Sequence, residues 1–324
     1  MPDLRTYWLS EKHPGAAPIE IPVAEFRGER DGPTVAVTAG MHAGEYAGIL
    51  AASELIRRLK RTKLNGRVLI CPIQSTQAFF MRSMQLSPID QEEAHYTWPG
   101  RTDGSYTEHL VDLIFRTVRV ADYVVDMHGG ELVQDLCPWI AAPWIADGPL
   151  WDQVYEMATA FDVLFIDKRQ IADTPLGLPR ALLEAGVPNI WTEIGRNGLL
   201  EPGAIRRQRE GSLNLLRKLG VIPGEPKEYA ARLVGPEHWM IIAEQSGVWR
   251  PVVKAGDRVK AGDRLGVLSD VFGNEVEQFL SPGDAVVAFI CTSPAINVDR
   301  QPSGYRWHQW LALLAEDRSR PTTP

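Results

Sequence analysis

The chain has 324 residues, room for two domains and a sizeable core at one domain per ~100–200 residues, with 44% hydrophobic and 23% charged residues. Those fractions lie near the globular average and exclude a disordered or fibrous chain. A net charge of -7, from 34 Lys plus Arg against 41 Asp plus Glu, disfavours nucleic acid or an anionic membrane as the main partner, since both select basic surfaces.

The start, MPDLRTYWLSEKHPG, carries Asp3, Glu11 and Lys12 where a secretory signal needs an apolar stretch. No apolar run approaches the ~20 residues of a membrane span, so a cytoplasmic protein is expected. From Thr34 to Arg217 short apolar runs alternate with longer helical stretches, the pattern of an α/β fold. Strands are expected at Thr34 to Ala39, Arg67 to Ile73, Tyr123 to Met127, Val163 to Asp167 and Asn189 to Glu193, each apolar enough to be buried on both faces. Tyr46 to Leu59 reads as a helix with Ile49, Leu50, Leu55, Ile56 and Leu59 on one face, and Ser105 with Glu108 forms a capping box opening a helix through Val118. A linker is expected near Gly220 to Lys227, dividing a domain at 1–222 from one at 228–318. The latter carries two AGD turns six residues apart and a third Gly-Asp turn, a small all-β domain of tight hairpins. It looks like the barrel-sandwich of biotinyl and lipoyl carriers, but neither Lys254 nor Lys260 has the setting of a carrier lysine, so a structural module is expected. Cys71, Cys137 and Cys291, odd in number and far apart, read as reduced, packed thiols.

Three short segments carry the chemistry. Gly40-Met41-His42-Ala43-Gly44-Glu45 follows the first apolar strand and precedes the first helix, and His42 and Glu45, three apart, can share an ion if the turn is helical. Asp126-Met127-His128-Gly129-Gly130 ends another strand, with Asp126 and His128 on the same side of an extended chain. Thr192-Glu193-Ile194-Gly195 places a carboxylate after a buried run, where an unpaired charge is costly. Each taken singly has a bland explanation as a surface pair, a packed histidine or a strand-end acid. All three fall at the carboxyl ends of central strands, where open α/β sheets bind ligands. Two histidines, one carboxylate and an open position match a catalytic zinc set, and zinc so held lowers the pKa of water and polarises a carbonyl. Glu193 is then available as general base and later proton donor. No phosphate loop, G-x-S-x-G elbow or dinucleotide fingerprint is present.

GMHAGEYAG, DMHGG and WTEIG, in that order and spacing, resemble the succinylglutamate desuccinylase and aspartoacylase branch of the zinc carboxypeptidase superfamily, and the β domain resembles the subgroup that includes N-acetyl-diaminobutyrate deacetylase. The resemblance runs from about Val35 to Arg217. It implies a zinc-carboxypeptidase-like mixed sheet flanked by helices, with a smaller barrel-sandwich-like β domain. It further implies one Zn2+ per chain held by His42, Glu45 and His128, Glu193 as catalytic base, and Asp126 orienting a ligand from behind.

One stretch departs from the family. In MRSMQLSPIDQEEAHYTWPG, Gln85 stands where an Arg is expected, and His95 and Tyr96 replace an Asn-Arg pair; the lost arginines would hold an oxyanion and clamp a substrate carboxylate. Either Arg82 or Arg101 supplies the charge, or the substrate lacks that carboxylate. Substrate contacts are therefore expected from Arg82, His95, Tyr96 and, in the loop after the base, Arg196. The leading expectation is a zinc-dependent amidohydrolase acting on a small N-acylated, amino-acid-like molecule. A metallocarboxypeptidase and a non-catalytic ligand-binding relative are the rivals, and homo-oligomerisation is left open.

Overall fold

The computed structural model describes residues 2–171, 177–230, 232–234, 238–298 and 310–316. The α/β part runs β1 (Asp3–Glu11), β2 (Ile19–Arg27), β3 (Arg30–Ala39), α1 (Tyr46–Leu59), β4 (Asn65–Cys71), α2 (Thr76–Met81), α3 (Tyr106–Val118), β5 (Tyr123–His128), β6 (Gln134–Leu136), β7 (Trp139–Trp144), α4 (Pro149–Ala158), β8 (Phe165–Gln170), α5 (Leu178–Glu184), β9 (Asn189–Glu193) and α6 (Pro202–Lys218). The rest is β10 (Arg232–Val234), β11 (His238–Ile242), β12 (Gly247–Pro251), β13 (Arg258–Val259), β14 (Arg264–Ser269), β15 (Glu275–Leu280), β16 (Ala285–Cys291), β17 (Ala295–Ile296) and β18 (Trp310–Glu316).

Nine strands form one mixed sheet in the order β1-β2-β4-β3-β5-β9-β7-β8-β10. The chain leaves β3 through α1 to β4 on one side, and later returns to β5 on the other side of β3, with β3, β4 and β5 mutually parallel. That reversal is a topological switch point, where the loops after two neighbouring parallel strands diverge and leave a crevice. One sheet face packs on α1, α4 and α6 through Ala47, Ile49, Leu55, Met157 and Leu215. The other packs on α3 and α5 through Leu110, Ile114, Ala181 and Leu182. Helix α1 spans the expected residues, but its buried stripe is Ala47, Gly48, Ile49, Ala51, Ala52, Leu55 and Leu59, while Leu50 is exposed. Small residues take the place of the expected leucine because the helix lies close against the sheet. The Ser105 and Glu108 capping box is formed as expected. The N-terminal hairpin of β1 and β2, which adds two antiparallel strands to the sheet edge, was not among the expected strands.

The C-terminal segment forms two further sheets, β11-β18-β16-β13 and β15-β14-β12-β17. Its two Lys-Ala-Gly-Asp turns are near copies: Asp257 and Asp263 each accept from the backbone N–H of Lys254 and Lys260, three residues back, at 3.0 and 2.7 Å. The glycines Gly256 and Gly262 have φ near +90° and +85°, a conformation that favours residues without a Cβ. This β layer is not separate from the α/β part. Strand β6, which follows His128-Gly129-Gly130 after three intervening residues, pairs with β16, and a third core joins Trp139, Ala141 and Phe165 of the large sheet to Leu265, Leu268 and Phe289. The β layer thus covers the edge of the large sheet beyond β9, and one wall of the crevice comes from it. Cys71, Cys137 and Cys291 are free and buried. Among the described residues, no helix is long and apolar enough to cross a membrane.

Candidate active site

His42 and Glu45 lie in the loop between β3 and α1, and His128 ends β5 next door. Glu45 occupies the N-cap position of α1 without capping it. Its carboxylate instead meets His42 Nδ1 at 2.9 Å through Oε1 and His128 Nδ1 at 3.1 Å through Oε2, while the Gly129 N–H donates to Oε2. All three side chains are buried, and one ligand atom from each lies within 4.8 Å of the others.

Both rings are held at their far nitrogen by a second carboxylate. His128 Nε2 lies 2.9 Å from Asp126 Oδ2, and Asp126 in turn accepts from Thr38 Oγ1 at 2.6 Å and Gln74 Nε2 at 3.2 Å. His42 Nε2 lies 3.1 Å from Glu93 Oε1. With Nε2 of each ring held by the carboxylate behind it, Nδ1 is the nitrogen that faces Glu45, and it is the one a metal would take in exchange for its proton. Burial alone would hold His42 neutral, but Glu45 and Glu93 push it up to about 10. His128 is raised in the same way against its burial by Glu45 and Asp126. Burial works to raise Glu45 and Asp126, yet the histidines hold both below the usual carboxylate range. So dense a set of buried carboxylates around two imidazoles suits a divalent cation replacing protons, and the donor types fit the group inferred from sequence.

Glu193 ends β9, directly across from His128 in the parallel pairing with β5 and across from Trp139 in the antiparallel pairing with β7. Its Oε1 accepts from Trp191 Nε1 at 3.2 Å. Burial, then the nearby Glu45 charge, pushes its carboxyl up to about 7. The backbone beneath is braced by the fully buried Gln208 of α6, whose Nε2 donates to the carbonyls of His128 and Ile194, both at 2.9 Å. Gly130 is required because a Cβ there would stand 2.2 Å from the Gln134 carbonyl oxygen and 2.8 Å from Arg196 Cα. The Gly-Gly pair thus permits close passage of backbone.

These groups open on a cleft of about 310 Å³. His95 and Tyr96 line it. His95 stacks on His42 with ring centroids 4.9 Å apart, and the Tyr96 hydroxyl is pushed up to about 12 by burial and Glu93. Arg82 and Arg196 are not brought to it. Arg82 is exposed at the C-cap of α2 in a left-handed conformation, and Arg196 is drawn outward by Glu201 at 3.0 Å and Asp135 at 3.7 Å. Arg101 pairs with Glu108 on the surface. Among the described residues, the arginines that line the cleft are instead Arg169 of β8 and Arg180 of α5, neither singled out in the sequence, where a lone arginine on a strand or helix carries no pattern. Glu93 was also missed, for the same reason. Glu131 lies beneath Gly44, wholly buried, and burial pushes it up to about 7.

Residues 31–219 match the succinylglutamate desuccinylase/aspartoacylase catalytic domain, a span holding His42, Glu45, His128 and Glu193. The chain belongs to that family. Members of the succinylglutamate desuccinylase/aspartoacylase family are hydrolases of the amide bond in N-acyl amino acids, and this chain is an enzyme of that class. The N-alpha-acetyl-L-2,4-diaminobutyric acid deacetylase of Halomonas elongata is 30% identical over 309 residues, 93% of this chain and 86% of the relative. A succinylglutamate desuccinylase/aspartoacylase structure from Rhodobacter sphaeroides superposes with a TM-score of 0.81 at 25% identity, covering 97% of this chain and 96% of the other. The product-bound ectoine utilization protein EutE from Ruegeria pomeroyi shares the fold, with a TM-score of 0.83 at 23% identity over 97% and 95% of the two chains.

Proposed function

We propose that the protein is a zinc-dependent deacylase that releases a small acyl group, acetyl by analogy with the Halomonas relative, from an amino-acid-like amine in the cytoplasm. The observation that carries this reading is the meeting of His42 Nδ1, Glu45 and His128 Nδ1 beside Glu193. A zinc ion held by those three side chains would supply Lewis acidity toward the amide carbonyl and acidify a water.

The protein's own groups do the rest. Glu193, a buried carboxyl beside the three candidate ligands, takes a proton from the attacking water and returns it to the departing amine. Tyr96, protonated throughout the neutral range, and His95 stand in the same wall to donate to the developing oxyanion. Trp191 fixes the Glu193 carboxylate through its indole N–H. Glu193→Gln keeps the shape but removes the base: metal analysis should still find one zinc per chain while kcat falls by about 10²–10⁴-fold. Full turnover in a metal-replete variant would remove Glu193 from the mechanism.

A further inference from the structure

The cleft lacks the family's expected arginines at Gln85 and at His95-Tyr96, yet it is not without cationic groups. Arg169 is mostly buried in its wall, with a side chain 19% exposed. Two of its N–H donors are fixed by Asp167 Oδ2, Nε at 2.7 Å and Nη2 at 2.6 Å, and its guanidinium lies over the Trp139 ring, 5.6 Å from the centroid. Trp139 also lines the cleft. Its ring is stacked on Phe165 at 5.6 Å, so it is a rigid platform. Its indole N–H is buried without an acceptor among the described residues, a cost that a ligand oxygen would remove.

The spacing suits a small substrate. Across the sheet, His128, Glu193 and Trp139 occupy matched positions on three successive strands, so Trp139 lies two strand spacings, about 10 Å, from the metal ligand. One extended residue spans about 3.5 Å. With a polar contact of about 3 Å at each end it bridges a comparable length. Arg180, which also lines the cleft, pairs with Glu184 on the same helix at 2.8 Å, and its place is tested beside that of Arg169 below.

We propose that Arg169, seated on Trp139 and oriented by Asp167, forms with the Trp139 N–H a subsite for the substrate's carboxylate, so that the grip lost at the β4–α3 side of the cleft is supplied from β7 and β8. The inference rests on the deacylase reading above and names the residues that hold the carboxylate of the N-acyl amino acid.

The test compares an N-acetyl amino acid with its carboxamide on the zinc-loaded protein. The wild type should favour the acid by more than about 10-fold in kcat/KM. Arg169→Met should lower kcat/KM for the acid by about 10–100-fold, mostly through KM, and change the carboxamide by less than about 3-fold. Arg169→Lys, which keeps charge but not the fork, should lose an intermediate amount, and Trp139→Phe a smaller amount of the same selectivity. These two variants keep the question answerable if Arg169→Met does not fold. Equal losses on both compounds, or a carboxylate-selective loss in Arg180→Met and not in the Arg169 variants, would overturn the subsite. If the wild type hydrolyses neither compound, the deacylase reading fails by itself. Calorimetric binding of the acid against the carboxamide, in wild type and Arg169→Lys, still reads the subsite: tighter binding of the acid that Arg169→Lys weakens supports it, and equal binding sinks it.

Discussion

His42 and His128 each make the same pair of contacts, one nitrogen toward Glu45 and the other toward a carboxylate behind it. For His128 that carboxylate is Asp126, two residues earlier on the same strand, and the H-bond is legible in the DMH motif itself. For His42 it is Glu93, 51 residues away, on a loop whose sequence, QEEAHY, offers two adjacent acids and no periodicity to choose between them. Only the fold shows that Glu93 is buried, accepting the backbone N–H of His95 as well, while Glu92 turns to Ser105. Glu93→Gln keeps size and hydrogen bonding but removes the charge that orients His42. Zinc affinity, measured by competition with a chelator, should weaken about 10–100-fold, and Glu92→Gln should leave it within about 3-fold. An unchanged affinity in Glu93→Gln would show that Glu93 does not position the ligand.

Helix α1 does more than cover the sheet. Its first turn carries Glu45 at the N-cap, and Gly48 brings the helix backbone against β5: a Cβ there would stand 2.9 Å from the Met127 carbonyl oxygen and 3.1 Å from Met127 Cβ. The residue next to Met127 is His128, so the same approach that packs the helix sets the gap between Glu45 and the second histidine. Gly48→Ala should therefore lower the urea midpoint by an amount equivalent to about 1–3 kcal/mol and weaken metal binding together. Loss of stability with full metal affinity would mean that the strain relaxes away from the site. The extent of α1 was readable from its hydrophobic period, and the α3 terminus from its capping box. The close packing of α1 was not, because a glycine at a helix contact and a glycine on a solvated face look alike in one sequence.

At the scale of the whole molecule, three cores meet around one cluster of buried charges. In the metal-free protein His42 holds its proton up to about 10, against 6.5 for a free histidine, and His128 is raised in the same direction. The native state then binds more protons than the unfolded chain between those values, so its stability falls as pH rises through them. Glu193 and Glu131, raised from 4.5 to about 7, add a fall of the same sign over that lower range. A metal ion that displaces the protons binds more tightly as pH rises and stabilises only the native state. Scanning calorimetry should thus show the Tm of the chelator-treated protein dropping from pH 6.5 toward 10 while its gap to the zinc-loaded form widens. A chelated Tm that rises over this range would contradict the protonation assigned to the site.

By itself the sequence determined the α/β class, the all-β character of the C-terminal segment, and the three motifs whose strand-end positions bring His42, Glu45, His128 and Glu193 together. These are local properties: period, turn residues and position relative to an apolar run. The tertiary structure decided which charges reach the cleft. Arg82 is exposed and Arg101 and Arg196 are held by acids outside the cleft, whereas Arg169 is brought in by strand order, since β7 and β8 lie beyond β9 in space though β9 follows them in the chain. It also decided that β6 crosses to pair with β16 and that the β layer walls the cleft. Contacts between residues 100 or more positions apart depend on how the sheet is wound, and no window along a single chain contains that information.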